Sequence, residues 1–246
     1  MAETEELDEV AEENLPTGPV SATTRVLVLT AAAVAILLLG AAVGLLIKLP
    51  GSGDAAADNP GPGSIEVGFA QDMGVHHLQA VTMANWARDH TQVPEIRQLA
   101  FDIQSTQLDQ EGRMRGWLML WGQPEQTPTG RYMAWMAGPS DGMAGMPGMN
   151  GNQMPANGVD HMPGYATNAE ISKLQSLTGP DMDTYFLQLM LRHHLGGAPM
   201  AQFVADHSSI PAVRVLAENI LKSQGAEVDL IKQMLAARNA QPLPMN

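Results

Sequence analysis

The sequence predicts an all-α protein: a single N-terminal transmembrane helix, then a four-helix bundle made of two duplicated helical hairpins. Three observations carry this expectation. Residues 26–47 are twenty-two uncharged positions bracketed by Arg25 and Lys48. An offset of 117 lays residues 66–107 over 183–224 with sixteen of forty-two positions identical, where unrelated segments would share about two or three. Finally, apolar residues recur at helical steps, and no stretch sustains the period-two alternation of a strand.

In chain order, residues 1–25 carry seven acidic side chains against Arg25 and hold −6 of the −13 net charge, so they read as an acidic disordered tail. The run at 26–47 spans about 33 Å as a helix, enough to cross a bilayer core. The long acidic segment ahead of it argues against a cleaved signal peptide. Arg25 and Lys48 nearly balance, so flanking charge does not fix an orientation. Residues 48–63, rich in Gly, Pro and Asp, form a linker.

The first hairpin is expected over 64–124. Ser64 caps a helix entering at Ile65, which stops near His90 because Pro94 opens the next helix. Ile96, Ile103, Gln110 and Trp117 make one stripe of that second helix, which Gly122 and Pro124 close. The second hairpin occupies 168–240. A short helix follows Thr167, Asp181 caps a helix running to about His207, and Pro211 starts the last, which ends near Arg238. Two hairpins with one apolar face each bury those faces against one another.

Composition excludes much. With no cysteine there are no disulfides, no thiolate metal sites and no thiol catalysis. A charge of −13 argues against a nucleic-acid partner. What remains is histidine and methionine. Met73, His76 or His77, Met83 and His90 fall at steps that place them near one helical stripe, and Met190, His193 or His194, Met200 and His207 repeat the pattern. Adjacent residues on a helix point about 100° apart, so the spacing predicts one of each His pair in the core. Packing the copies face to face brings the stripes into the interior, where bundles build metal sites.

A methionine on a helical stripe is ordinarily core filler. Residues 133–162 resist that explanation: seven methionines in thirty residues, Met143, Met146 and Met149 among them, lie between Gly, Pro and Ser with no helical face to fill. Thioether and imidazole suit Cu(I), whereas Mg and Ca want oxygen. Thioethers also form no disulfides where thiols would be oxidised. A di-iron or di-manganese carboxylate oxidoreductase stays open through Glu66, Asp183, Glu111 and Glu227, although Met rather than Glu stands three residues before His76 and His193. A metal-free bundle that binds a partner in a membrane complex also stays open.

The run Asp72-Met73-x-x-His76-His77-x-x-Ala80-x-x-Met83-Ala84, with Gln107 and Met114-Arg115-Gly116-Trp117-Leu118 downstream, resembles the domain of unknown function family 305. Phe186-Leu187-x-x-Met190-x-x-His193-His194-x-Gly196 and Met162-Pro163-Gly164 repeat the resemblance, which covers 64–238. It implies a ferritin-like bundle, exported or membrane-anchored, with copper or silver binding in some relatives. The sequence departs at Gly197 (Ala is usual), at Pro199, which should kink or break its helix, at Gln110 (often Glu) and at Leu189, the counterpart of Asp72.

The expectation is therefore a single-pass cell-membrane protein with its bundle on the extracytoplasmic side. It binds Cu(I) or Ag(I) for sequestration or for delivery to a metal-transfer partner. His76, His77, His193, His194, Met73, Met83, Met190 and Met200 are the central ligands. His90, His207, Met143, Met146 and Met149 are further candidates.

Overall fold

A computed structural model of the chain describes residues 21–46, 59–137 and 155–246. Two units separate, Met1–Ala56 and Ala57–Asn246. In the first, helix α1 (Ala22–Leu46) starts four residues before the uncharged run, because the Ser21 hydroxyl accepts the Thr24 amide at 3.2 Å and opens the first turn early. Its side chains through Leu39 are exposed, and among the described residues it is the one helix long and apolar enough to cross a membrane.

The second unit is all-helical: α2 (Ile65–His90), α3 (Pro94–Leu120), α4 (Asn168–Ser176), α5 (Gly179–His207) and α6 (Pro211–Ala236). Ser64 Oγ accepts the Val67 amide and starts α2. Pro94 and Pro211 each occupy the first turn of a helix behind an extended residue, since proline needs no amide partner there and disfavours helix before itself. Thr167 and Glu170 form a reciprocal capping box on α4.

Helices α2 and α3 pair as one hairpin and α5 and α6 as the other, with α2 lying along α5 to complete the four-helix bundle. The two central helices are antiparallel. Glu66, at the start of α2, accepts bonds from the Ser208 hydroxyl at 2.7 Å and the Ser209 amide at 3.0 Å, just past the end of α5.

Two local expectations are corrected. Helix α5 begins at Gly179 with Pro180 in its first turn, so Asp181 is a first-turn residue and not the cap. Pro199 does not break α5, which continues to His207. Proline removes the bond to the Leu195 carbonyl. Leu195 lies on the exposed side of the helix, where water can take that carbonyl.

Candidate metal centre

The antiparallel packing of α2 on α5 sets the four paired histidines at one level of the bundle. The His76 and His193 rings lie 3.7 Å apart between centroids, and the His193 and His194 rings 6.2 Å apart. All four are fully buried, which corrects the expectation of one core histidine per pair. Each central helix is covered on two sides, so neighbouring positions both face protein. His76 meets α5, and His77 meets Gln110 of α3.

Their hydrogen bonds fix the ring chemistry. His77 Nε2 donates to Gln110 Oε1 at 2.7 Å, and His194 Nε2 to Glu227 Oε2 at 2.5 Å. These bonds are one contact repeated by the duplication, since both residues shift by 117. His193 Nε2 donates to the His76 carbonyl at 3.0 Å, and His76 Nε2 reaches the Pro163 carbonyl at 3.4 Å. Every one of these partners is an oxygen that can only accept, so all four rings carry their proton on Nε2. The four Nδ1 atoms are left buried and unpaired.

Burial keeps three of these rings, His76, His77 and His193, neutral. It pushes His76 down to about 3, helped by charge repulsion from His77, and His77 down to about 4 despite its bond to Gln110. His193 falls well below the ordinary value for the same first reason, with the neighbouring imidazoles adding to it. An imidazole with its Nε2–H held by an acceptor and its Nδ1 free is the arrangement of a metal-ligating histidine with its supporting hydrogen bond. The amides of Gln107 and Gln224, another matched pair, are also buried and unpaired. Gln224 Oε1 lies on the same side of Gly197 as the His76 ring.

The methionines divide around this level. Met73 and Met200 share one buried cluster, Met83 and Met190 the other. That division follows from antiparallel helices in which each methionine lies three or more residues from its histidine pair. His90 and His207 are not brought to the centre. Each stands fourteen residues past its pair, about 21 Å along its helix, and antiparallel packing sends the two toward opposite ends. Both are exposed; they stack on Trp86 and Phe203, and their Nδ1 atoms bond the carbonyls of those residues. Met143, Met146 and Met149 lie outside the described residues.

The carboxylates of the di-metal alternative do not converge. Glu66 is bound to the serines after α5, ten residues or about 15 Å from His76. Glu111 lies 3.9 Å from Arg115, and Glu227 serves His194. Among the described residues no three His, Asp or Glu side chains form a ready cage for a metal ion.

At the centre, Gln107 and Gln224 stand out in the sequence only through the repeat and, for Gln107, the family motif. Asp72 belongs to that motif as well. Its buried carboxylate accepts the Met133 amide at 2.6 Å and the Trp135 indole at 2.8 Å, and burial raises it to about 6 against the pull of those two donors.

Fold and centre together define a duplicated helical-hairpin bundle with a buried, imidazole-lined interior. The chain belongs to the family described as Domain of unknown function (DUF305), whose profile matches residues 66–235. It is similar to a DUF305 protein from Streptomyces coelicolor, described as secreted, at 38% identity and TM-score 0.63, over 74% of this chain and 99% of that one. A DUF305 fragment from Deinococcus radiodurans is 31% identical at TM-score 0.54, over 70% of this chain and 96% of that one. A fainter likeness, 22% identical at TM-score 0.49 over 70% and 96%, is to CopM in its Cu(I)-bound form. No curated protein matches the chain.

Proposed function

We propose that this chain is a membrane-anchored, extracytoplasmic binder of Cu(I), or of Ag(I) as its mimic, that sequesters the ion or hands it to a partner protein. One observation carries the reading: four buried imidazoles, each with Nε2 committed to an acceptor and Nδ1 unpaired. An unpaired buried nitrogen costs on the order of 1–3 kcal/mol, and a bound cation would recover that cost at several positions together. The flanking donors are thioethers, which select a soft monovalent ion. A low coordination number suits Cu(I) where no cage of three hard ligands stands ready. The scatter of the carboxylates weighs against the di-iron or di-manganese oxidoreductase, with Glu66, Glu111 and Glu227 each engaged elsewhere. Extracytoplasmic placement draws support from the apolar helix α1, the cysteine-free composition and the similarity to a relative described as secreted.

The test is competitive metal titration of the full chain in detergent with a chromophoric Cu(I) chelator, alongside Fe(II) and Mn(II). Tight Cu(I) binding that weakens at least a hundredfold in H76A/H193A is expected. Stoichiometric Fe(II) or Mn(II) binding with no competition for Cu(I) would overturn the reading. So would Cu(I) affinity unchanged in that double variant.

A further inference from the structure

The duplication makes the two central helices alike, but the segment between the copies is inserted on one side only. Its near end is pinned by Asp72, which holds the Met133 amide and the Trp135 indole. Trp135 packs so closely on Gly68 that a Cβ there would lie 2.2 Å from the ring. The two ends of the segment join through reciprocal bonds between Tyr132 and Val159. Its far end crosses the bundle at the histidine level. The Pro163 carbonyl, which accepts from His76, sits 2.2 Å from where a Cβ on Gly196 would be.

This insertion drives three methionines into the core. Met133, Met136 and Met162 are at most 2% exposed and share a cluster with Met73 and Met200. Met133 is tied to Asp72, one turn before His76, and the chain relates three more of the cluster to that ring. Met73 is one turn before His76 on α2. Met162 precedes Pro163, and Met200 is one turn beyond Gly197, whose backbone faces the His76 ring 3.3 Å from Nδ1 to a built Cβ. The opposite cluster, with Met83, Met182 and Met190, receives only Ala166 from the segment as a buried residue and is otherwise Leu, Ile, Val, Ala and aromatic. Met133 also holds a left-handed backbone, φ 63°, while fully buried. A position at that φ favours glycine or asparagine, and strain kept at a buried thioether points to a use for the side chain.

We infer that the soft-metal site lies on the His76 side of the bundle and draws its few thioether ligands from the set Met133, Met136, Met162, Met73 and Met200, so that the segment between the repeats completes it. This placement rests on the Cu(I) reading and adds ligands to it. The pairing of one free imidazole nitrogen with several thioethers selects Cu(I) or Ag(I) over harder divalent ions. The His193 side, with Ala80 where the other has Gly197, then supplies no thioether.

Leucine keeps the volume of methionine and removes the sulfur, so the full chain would be compared as wild type, M133L/M136L/M162L and the opposite-side control M83L/M182L/M190L. Cu(I) affinity is read by chelator competition and the ligand shell by X-ray absorption at the copper edge. The first triple variant should bind at least tenfold more weakly and lose sulfur from the shell, while the control keeps both. Unchanged affinity and sulfur count in the first triple would overturn the placement, as would losses confined to the control. Should the first triple lose its helical circular dichroism, the single M162L variant decides on the same two readouts. Retained Cu(I) affinity in H76A/H193A would sink the copper reading itself, a separate outcome from failure of the placement.

Discussion

At register positions 79 and 196 the two copies meet the same crossing segment, residues 163–166, by opposite means. On the first copy Gln79 clamps it, donating to the Ala166 carbonyl and accepting the Ala166 amide, both at 2.7 Å. On the second, Gly196 removes a side chain so that the Pro163 carbonyl can rest on the helix backbone. The pattern extends along both helices. Asp72 pins Met133 and Trp135 where its counterpart Leu189 is plain core, and Gly197 faces His76 where Ala80 stands in the other copy. A duplicated scaffold thus keeps its shared centre of four imidazoles and becomes asymmetric where the inserted segment lands. Asymmetry at a shared centre is how one half can bind while the other supports.

The largest expected effect tests what the halves share. His76 near 3 and His77 near 4, with His193 also depressed, compare with 6.5 for an ordinary imidazole. Below about pH 6.5 the unfolded chain takes up protons that the native rings refuse, so stability is lost as pH falls. Asp72, raised from 3.8 to about 6, works the other way, gaining stability as pH falls through that window. Three imidazoles outweigh one carboxylate, and the net loss from pH 7 to pH 4 should be on the order of 5 kcal/mol. Denaturant midpoints across that range measure it; a flat profile would mean the rings are not buried neutral.

The next effect breaks the symmetry. Gly196→Ala places a Cβ 2.2 Å from the Pro163 carbonyl oxygen, and backbone must move on both sides. A loss of about 3 kcal/mol is expected, whereas Ala80→Gly in the other copy should cost about 1 kcal/mol, the ordinary helix penalty. Chemical denaturation of the two variants compares them directly, and equal losses would remove the distinction.

Asp72→Ala should follow at about 2 kcal/mol, because it frees the Met133 amide and the Trp135 indole together. Trp135 fluorescence should shift to longer wavelength as the indole gains water. An unshifted spectrum with wild-type stability would show that the segment holds its place without the carboxylate.

The smallest effect sharpens the comparison at the ligands. His194 leans on a carboxylate and His77 on an amide, so Glu227→Gln makes the two supports alike. Loss of the carboxylate partner lowers ligand basicity, and Cu(I) affinity should fall about tenfold. Gln110→Glu should move it the other way by a smaller factor. Affinity indifferent to both exchanges would place His77 and His194 outside the ligand set.

Much of the bundle was legible before any coordinates. Ser64, Pro94, Thr167 and Pro211 act locally, through one cap or one missing amide, and local rules suffice for them. Pro199 leaves α5 unbroken because its cost depends on what takes the freed Leu195 carbonyl, a question of which side of α5 meets water. Both histidines of each pair are buried for a related reason. Periodicity describes a helix with one buried face, and α2 and α5 each have two. His90 and His207 matched the stripe in sequence yet stand at opposite ends, since helical phase says nothing of distance along the axis.

The sequence by itself determined the helices, their duplication and the inventory of imidazoles and thioethers, because periodicity, capping and an offset of 117 are properties of the chain. Only the tertiary structure decided that α2 and α5 run antiparallel with four histidines at one level, that each Nε2 finds an oxygen while each Nδ1 finds none, and that the inserted methionines enter on one side. Those outcomes depend on which residues far apart in sequence come together, and a stripe on one helix does not specify what packs against it.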